Sequence, residues 1–171
     1  MKIYEDVLPK ELLERCIEEL RSSQDSRSWG ISNLFWKEEL KVGLVGNVSM
    51  RCLPEELTLE VHEVLKKYFS KIGRVFMYQY YIWNQMSGIS RHDDKGYVEG
   101  GTLYLNETWD SNWGGLFVWK DKDEEREYKL NAICPKQNML IINDESEMHL
   151  VTPVSPIVPQ VRTTIQIWSE V

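Results

Sequence analysis

A chain of 171 residues, 42% hydrophobic and 27% charged, is long enough to bury a sizeable core and too short for two comfortable ones. Twenty basic residues against 27 acidic ones give a formal charge of -7, which argues against a bulk electrostatic grip on nucleic acid. No stretch nears the roughly 18 apolar residues that span a bilayer, and the opening MKIYEDVLPKELLERCIEEL lacks the unbroken apolar core of a signal peptide, so neither a nucleic-acid nor a membrane partner is expected.

In chain order, Pro9 suits a first helical turn, and Leu12, Leu13, Cys16, Ile17 and Leu20 follow at helical spacing. Residues 21–50 are punctuated by Ser, Gly and Asn around Leu34-Phe35-Trp36; with Trp29, this stretch either covers a pocket as a lid or packs against a sheet. A second helix is expected from about Pro54 to Ser70, with Leu57, Leu59, Val61, Val64, Leu65 and Tyr68 as its apolar stripes and His62 as a solvated side chain. From Val75 the texture changes to eight short β-like runs, at 75–84, 89–94, 101–106, 115–119, 127–133, 138–142, 148–152 and 161–169, which suggests a sandwich or jelly roll. The charged run Lys120 to Lys129 reads as a solvated hairpin tip. The expected organisation is one domain over 1–171, with 1–73 mostly helical support and 74–171 the jelly-roll core.

Three cysteines, Cys16, Cys52 and Cys134, are an odd number without a CxxC pair; this speaks against a disulfide framework or zinc knuckle and for a reducing, cytoplasmic setting. Seven tryptophans are many for this length, and an aromatic-lined cavity is one use for them. Two runs show usable alternation. From Val161 to Trp168 the odd positions (Val161, Thr163, Ile165, Ile167) are core-like, while the even ones place Arg162 beside Thr164 and end in Trp168. From Gly101 to Asn106, Leu103 and Leu105 alternate against Thr102, Tyr104 and Asn106.

The most telling pattern is His92-Asp93-Asp94 followed far downstream by His149. On a strand, His92 and Asp94 share a face while Asp93 turns away, and His149 would arrive on a distant strand folded back alongside. Two imidazoles and one carboxylate on one side of a metal are the arrangement of non-haem Fe(II) oxygenases, which keep coordination positions open. The chain has three histidines and places two of them in this pattern.

The flanking segments follow in a telling order. A Tyr-rich strand and Gly88 precede the triplet; then come Thr102-Leu103-Tyr104-Leu105-Asn106, Glu107-Thr108-Trp109-Asp110 and Trp113-Gly114-Gly115-Leu116. Cys134-Pro135-Lys136 and Asn138-Met139-Leu140-Ile141-Ile142 lead to His149-Leu150-Val151-Thr152-Pro153-Val154, with Arg162 and Trp168 beyond. Over roughly residues 75–171 this combination resembles the prolyl 4-hydroxylase-like branch of the 2-oxoglutarate/Fe(II)-dependent oxygenases, and its small size is similar to the minimal bacterial relatives of ribosomal-protein prolyl hydroxylases.

The resemblance implies a mainly β fold with N-terminal α structure: a double-stranded β-helix (jelly roll) with helices packed on one sheet. It implies that His92, Asp94 and His149 bind Fe(II). Arg162 would hold the C5 carboxylate of 2-oxoglutarate by two charge-assisted hydrogen bonds, with Thr164 beside it and Tyr104 on the same carboxylate. Tyr81 and Trp83 would line the pocket, against either cosubstrate or substrate, and Gly114 and Gly115 would serve a tight turn. Relatives often carry an arginine where this chain has Gly100-Gly101, which implies a wider substrate side.

The implied activity is a dioxygenase that uses Fe(II), 2-oxoglutarate and O2, with ascorbate in support, to hydroxylate an aliphatic C–H with release of succinate and CO2. Halogenating relatives lack the carboxylate that Asp94 supplies, so its presence favours hydroxylation. A prolyl or other amino-acid residue in a peptide or protein is the preferred substrate, with a free amino acid or small natural product as the alternative. Two other classes stay open: a cupin-like metal-binding protein that does not use 2-oxoglutarate, disfavoured by Arg162 and Thr164, and a non-catalytic binding module, disfavoured by the intact triad.

Overall fold

The computed structural model describes residues 1–23, 29–31, 36, 38–70 and 75–170. Helix α1 spans Lys10–Ser22 and α2 spans Glu55–Leu65, with a 3-10 turn at Lys66–Tyr68 after it. Each helix is entered from a proline, Pro9 or Pro54, both near φ -54°. Proline has no N–H to leave unpaired there, and its carbonyl still takes the first helical bond: Leu13 N–H donates to Pro9 at 3.0 Å and Thr58 N–H to Pro54 at 2.9 Å. Glu11 in α1 and Glu55 and Glu56 in α2 place negative charge on the first turns, where the helix dipole favours it. Among the described residues no helix is long and apolar enough to cross a membrane.

Twelve strands among the described residues form two antiparallel sheets. They are β1 (Lys2–Tyr4), β2 (Gly30–Ile31), β3 (Leu44–Val45), β4 (Val48–Cys52), β5 (Val75–Trp83), β6 (Gly88–His92), β7 (Glu99–Tyr104), β8 (Phe117–Trp119), β9 (Asn131–Ile133), β10 (Leu140–Asp144), β11 (His149–Val151) and β12 (Arg162–Glu170). The larger sheet runs β1-β10-β7-β12-β5-β4-β2, the smaller β3-β6-β11-β8-β9. This is the double-stranded β-helix, and the eight expected runs coincide with β5 to β12 within a few residues at each end.

The larger sheet is buried on both faces, each with its own core. One face takes Leu12, Leu13, Cys16 and Leu20 of α1 and Leu57, Val61 and Leu65 of α2, against Tyr78, Tyr80, Leu103, Ile165 and Ile167. Each fully buried aliphatic side chain there contributes on the order of 1.5–3 kcal/mol of transfer free energy. The other face looks at the smaller sheet through Tyr81, Trp83, Tyr104, Phe117 and Val151. The alternation along β12 therefore separates two interiors: Ile165 and Ile167 point to the helices, whereas Arg162, Gln166 and Trp168 line the space between the sheets.

The first third of the chain contributes more than helices. β1 pairs with β10, β4 with β5 and β3 with β6, so short N-terminal segments extend both sheets. His62 also departs from expectation. It is partly buried, its ring edge-on to Phe76 and its Nδ1 3.1 Å from the Tyr78 hydroxyl, so it packs on the sheet instead of standing in solvent. The charged loop between β8 and β9 is a hairpin tip, tied by exposed ion pairs of Glu124 with Arg126 and Lys129. Of the candidate lid, Trp29 packs against the helix-side core and Trp36 against the cavity between the sheets; Phe35 lies outside the described residues.

Candidate metal centre and active site

His92 closes β6, and its antiparallel partner on β11 is His149. Directly opposed residues project to the same face, and the two imidazoles lie 4.4 Å apart between ring centroids. Asp94 joins them by a route that strand alternation does not describe. β6 stops at His92, and the chain then turns, Tyr97 N–H donating to the Asp94 carbonyl at 3.1 Å. The turn brings Asp94 Oδ1 to 3.7 Å from His92 Nε2 and Oδ2 to 3.5 Å from His149 Nε2. These separations are too long for hydrogen bonds and close to those of neighbouring donors around one small ion, whose bonds run about 2.0–2.2 Å. One donor atom from each of the three residues falls within 4.8 Å of the others.

Both histidines are oriented alike. Each donates Nδ1–H to a backbone carbonyl two residues upstream, His92 to Ser90 and His149 to Glu147, both at 2.8 Å. A carbonyl only accepts, so the proton sits on Nδ1 and the Nε2 lone pair faces Asp94. Burial, and secondarily the neighbouring His149, hold the His92 imidazole below its ordinary pKa, which favours the neutral form a metal needs. Phe117 stacks on His149 with centroids 5.0 Å apart and 11° between planes, fixing its ring from the other side.

Two residues complete the carboxylate's surroundings: Asn143, which sequence reasoning did not single out, and Gly100, which it read only as part of a wider substrate side. Asn143 on β10 donates Nδ2–H to Asp94 Oδ2 at 2.7 Å, within the protein interior. Gly100 on β7 leaves the space between them: a Cβ there would lie 2.9 Å from Asp94 Oδ2 and 3.2 Å from the Asn143 amide. A lone Asn at the end of the apolar run Leu140-Ile141-Ile142 was the available signal. Gly100-Gly101 does not widen a substrate side. Gly100 faces the carboxylate, and a Cβ on Gly101 would meet Phe69 and Ile167 on the helix side.

The trio opens on a cavity of about 310 Å³ between the sheets, walled by Trp36, Tyr81, Trp83, Ile89, Phe117 and Val151. The register of the larger sheet orders its floor. Arg162 lies opposite Trp83; Thr164 lies between Tyr81 and Tyr104; Gln166 lies between Gln79 and Thr102; Trp168 lies between Met77 and Gly100. Arg162 and the Asp94 carboxylate, which adjoins Gly100, thus mark opposite ends.

Arg162 is 1% exposed, its guanidinium 5.2 Å from the Trp83 ring and 5.0 Å from that of Tyr104. It donates to the Tyr104 hydroxyl at 3.3 Å, and among the described residues no carboxylate pairs with it. Burial lowers its pKa and Tyr104 opposes the shift, while an arginine keeps its charge in proteins. Among the described residues, Arg162 Nε, Thr164 Oγ1 and Trp83 Nε1 are all buried without a hydrogen-bond partner. A buried cation and two further unpaired groups at one end of a cavity are costly alone and suit a carboxylate. The donor set of two neutral imidazoles and one carboxylate suits Fe(II). Both ends therefore fit the iron and 2-oxoacid that the sequence resemblance implied.

The comparisons agree with this chemistry. The profile of the 2OG-Fe(II) oxygenase superfamily matches residues 75–170, more than half of the chain. A search of curated proteins returns no significant sequence match. Among solved structures, a Pseudomonas putida prolyl-4-hydroxylase superposes with a TM-score of 0.71 at 16% identity, covering 99% of this chain and 91% of that one. A Trichoplax adhaerens prolyl hydroxylase in complex with a hypoxia inducible factor oxygen degradation domain peptide fragment gives 0.74 at 15%, covering 99% and 82%. HygX from Streptomyces hygroscopicus, with nickel and 2-oxoglutarate bound, gives 0.63 at 8%, covering 98% and 82%. At these identities the superpositions speak for the fold, and the profile speaks for the family: the chain belongs to the 2OG-Fe(II) oxygenase superfamily, enzymes whose cofactors are Fe(II) and 2-oxoglutarate.

Proposed function

We propose that this chain, as one oxygenase domain over residues 1–171, hydroxylates an aliphatic C–H of a prolyl or other amino-acid residue within a peptide or protein, releasing succinate and CO2. The observation that carries the reading is a His92, Asp94 and His149 cluster sharing one cavity with the buried Arg162, with which no carboxylate among the described residues pairs.

His92, Asp94 and His149 would hold Fe(II), and Arg162, Thr164 and Tyr104 would hold the far carboxylate of 2-oxoglutarate. Trp83 would add its indole N–H, and Tyr81 would wall the cosubstrate. When bound, the iron and the 2-oxoacid supply the oxidising chemistry that divides O2 between substrate and succinate. Arg162 fixes the cosubstrate's direction, because its planar fork holds a carboxylate in one orientation. Ile89, Phe117 and Val151 keep water from the buried end. The Ser90 and Glu147 carbonyls keep the proton on Nδ1 of each imidazole, so that Nε2 stays a donor.

The cavity also bears on substrate class. Among its described lining residues the charged or metal-facing groups are His92, Asp94, His149 and Arg162, all already engaged in this reading. A free amino acid would bring an ammonium and a carboxylate that find no counter-charge, at a desolvation cost. A residue inside a peptide brings amides instead, which neutral Gln79, Gln166 and Thr102 suit. The Trichoplax relative, whose structure contains a peptide fragment, supports the same direction.

The test is succinate release from purified protein with Fe(II), ascorbate, 2-oxoglutarate and either proline-containing peptides or free proline. Peptides should stimulate release and free proline should not; the reverse order would overturn the substrate class. His92→Ala, Asp94→Ala and His149→Ala should each abolish release. Binding is checked separately by thermal unfolding. 2-Oxoglutarate at 100 times its dissociation constant stabilises by about 2.7 kcal/mol, and Arg162→Met should remove most of that. An unchanged shift in Arg162→Met would refute the cosubstrate assignment.

A further inference from the structure

We infer that Asn143, with the space Gly100 leaves beside it, is a positioning residue for the Asp94 carboxylate, tying down Oδ2 and so fixing the direction in which the carboxylate meets the two imidazoles. The inference rests on the reading of Asp94 as a ligand given above. Asn143 is 1% exposed and comes from β10, a strand that contributes no residue to the cluster itself. Its amide N–H reaches Oδ2 at 2.7 Å, and Oδ2 also faces His149 Nε2 at 3.5 Å, whereas Oδ1 faces His92 Nε2 at 3.7 Å and accepts no hydrogen bond among the described residues. The two oxygens of one carboxylate are thus made inequivalent by a single buried donor.

The arrangement is built by register. Asn143 is the direct antiparallel partner of Gly100 in the β10–β7 pair, so one strand supplies the donor and its neighbour supplies the room. Any other residue at position 100 would bring a Cβ to 2.9 Å from Oδ2, closer than carbon and oxygen pack without displacement. Asp94 needs this support because it sits past the end of β6 on a turn, where no strand pairing fixes its side chain. A ligand held by such an outer partner loses less freedom on binding, and removing partners of this kind typically costs about 10–100-fold in metal affinity.

The experiment is a titration of metal-free protein with Co(II), followed by its visible absorption, alongside thermal unfolding of each metal-free variant. Asp94→Ala should bind no Co(II) at the site; wild-type affinity there would sink the ligand assignment itself, independently of Asn143. With Asp94 intact, Asn143→Leu removes the donor at similar volume and should weaken Co(II) by about 10–100-fold, with an altered visible spectrum because the carboxylate is free to rotate. Asn143→Ser keeps a hydroxyl donor and should recover part of the loss. Gly100→Ala keeps the amide donor but crowds both Oδ2 and the amide, and it should weaken binding too, which provides a second reading if Asn143→Leu folds poorly. Folded Asn143→Leu and Gly100→Ala that both bind Co(II) with wild-type affinity and spectrum would overturn the inference.

Discussion

Arg162 runs past Gly115 so closely that a Cβ on the glycine would fall 2.9 Å from the arginine Cδ. Gly115 is also in the left-handed region, at φ +63°, immediately after Gly114 at +67°. The Gly114-Gly115 pair therefore does more than turn the chain before β8: its second member is the floor under the arginine stem. Gly115→Ala should combine a backbone penalty of about 1–2 kcal/mol with a displaced guanidinium. Thermal unfolding should show a lower melting temperature and a smaller 2-oxoglutarate shift, while Co(II) affinity stays at the wild-type level. An intact 2-oxoglutarate shift would show that Arg162 does not depend on this contact.

Thr164 offers a test in which stability and binding move in opposite directions. Its Oγ1 is buried without a partner among the described residues, and a buried unsatisfied polar group costs about 1–3 kcal/mol. Thr164→Val replaces the hydroxyl with a methyl at nearly the same shape. The ligand-free variant should melt higher than wild type, and its stabilisation by 2-oxoglutarate should be smaller. Calorimetry on both proteins with and without cosubstrate separates the two effects; a variant less stable without ligand would mean that the hydroxyl already has a partner.

Metal removal should be felt as stability. At 1,000 times its dissociation constant a metal contributes about 4.1 kcal/mol, so a chelator should lower the melting temperature of Ni(II)-loaded protein reversibly. Phe117→Ala should reduce that difference as well as basal stability, since the ring that stacks on His149 also belongs to the inter-sheet core. Truncating a core phenylalanine typically costs about 3–5 kcal/mol. Phe117→Leu keeps most of the volume without the stacked face, and a normal chelator response in that variant would remove the ring from any part in orienting His149.

What the sequence made legible follows the range over which its signals act. β12 announced itself because period-2 alternation was sustained over eight residues, and Arg162, Thr164 and Trp168 were correctly placed on one face. β1, β2 and β3 are two or three residues long, too short to show a period, and they exist only because β10, β4 and β6 pair with them. The grouping of His92 with Asp94 was anticipated on strand alternation, yet β6 ends at His92 and a turn does the work. Asn143 was invisible and Gly100 was given the wrong meaning, because what matters is a register, Asn143 opposite Gly100, and register is a property of the folded sheet. His62 misled because its charged sequence neighbours say nothing of Phe76 and Tyr78 in the strand beneath it.

Cys16 links helix packing to pH. Its thiol is fully buried under α1, and burial pushes its pKa from 9.0 up to about 11. Below about pH 9 it is protonated in both folded and unfolded chains, and its contribution is fully present. Between pH 9 and 11 the unfolded chain gives up the proton that the folded chain keeps, so stability falls as pH rises, with a slope approaching about 1.4 kcal/mol per pH unit. Burial also raises Tyr78 and Tyr80, but those groups add to the decline only above the ordinary tyrosine value of 10.0. Urea unfolding at pH 8, 9 and 10 should therefore show a steeper loss for wild type than for Cys16→Ala, even though the variant starts lower for want of the buried sulfur. A thiol reagent at pH 8 should label the exposed Cys52 in folded protein and reach Cys16 only on unfolding. Equal slopes in the two proteins, or native-state labelling of Cys16, would show that α1 does not seal this position as tightly as the packing requires.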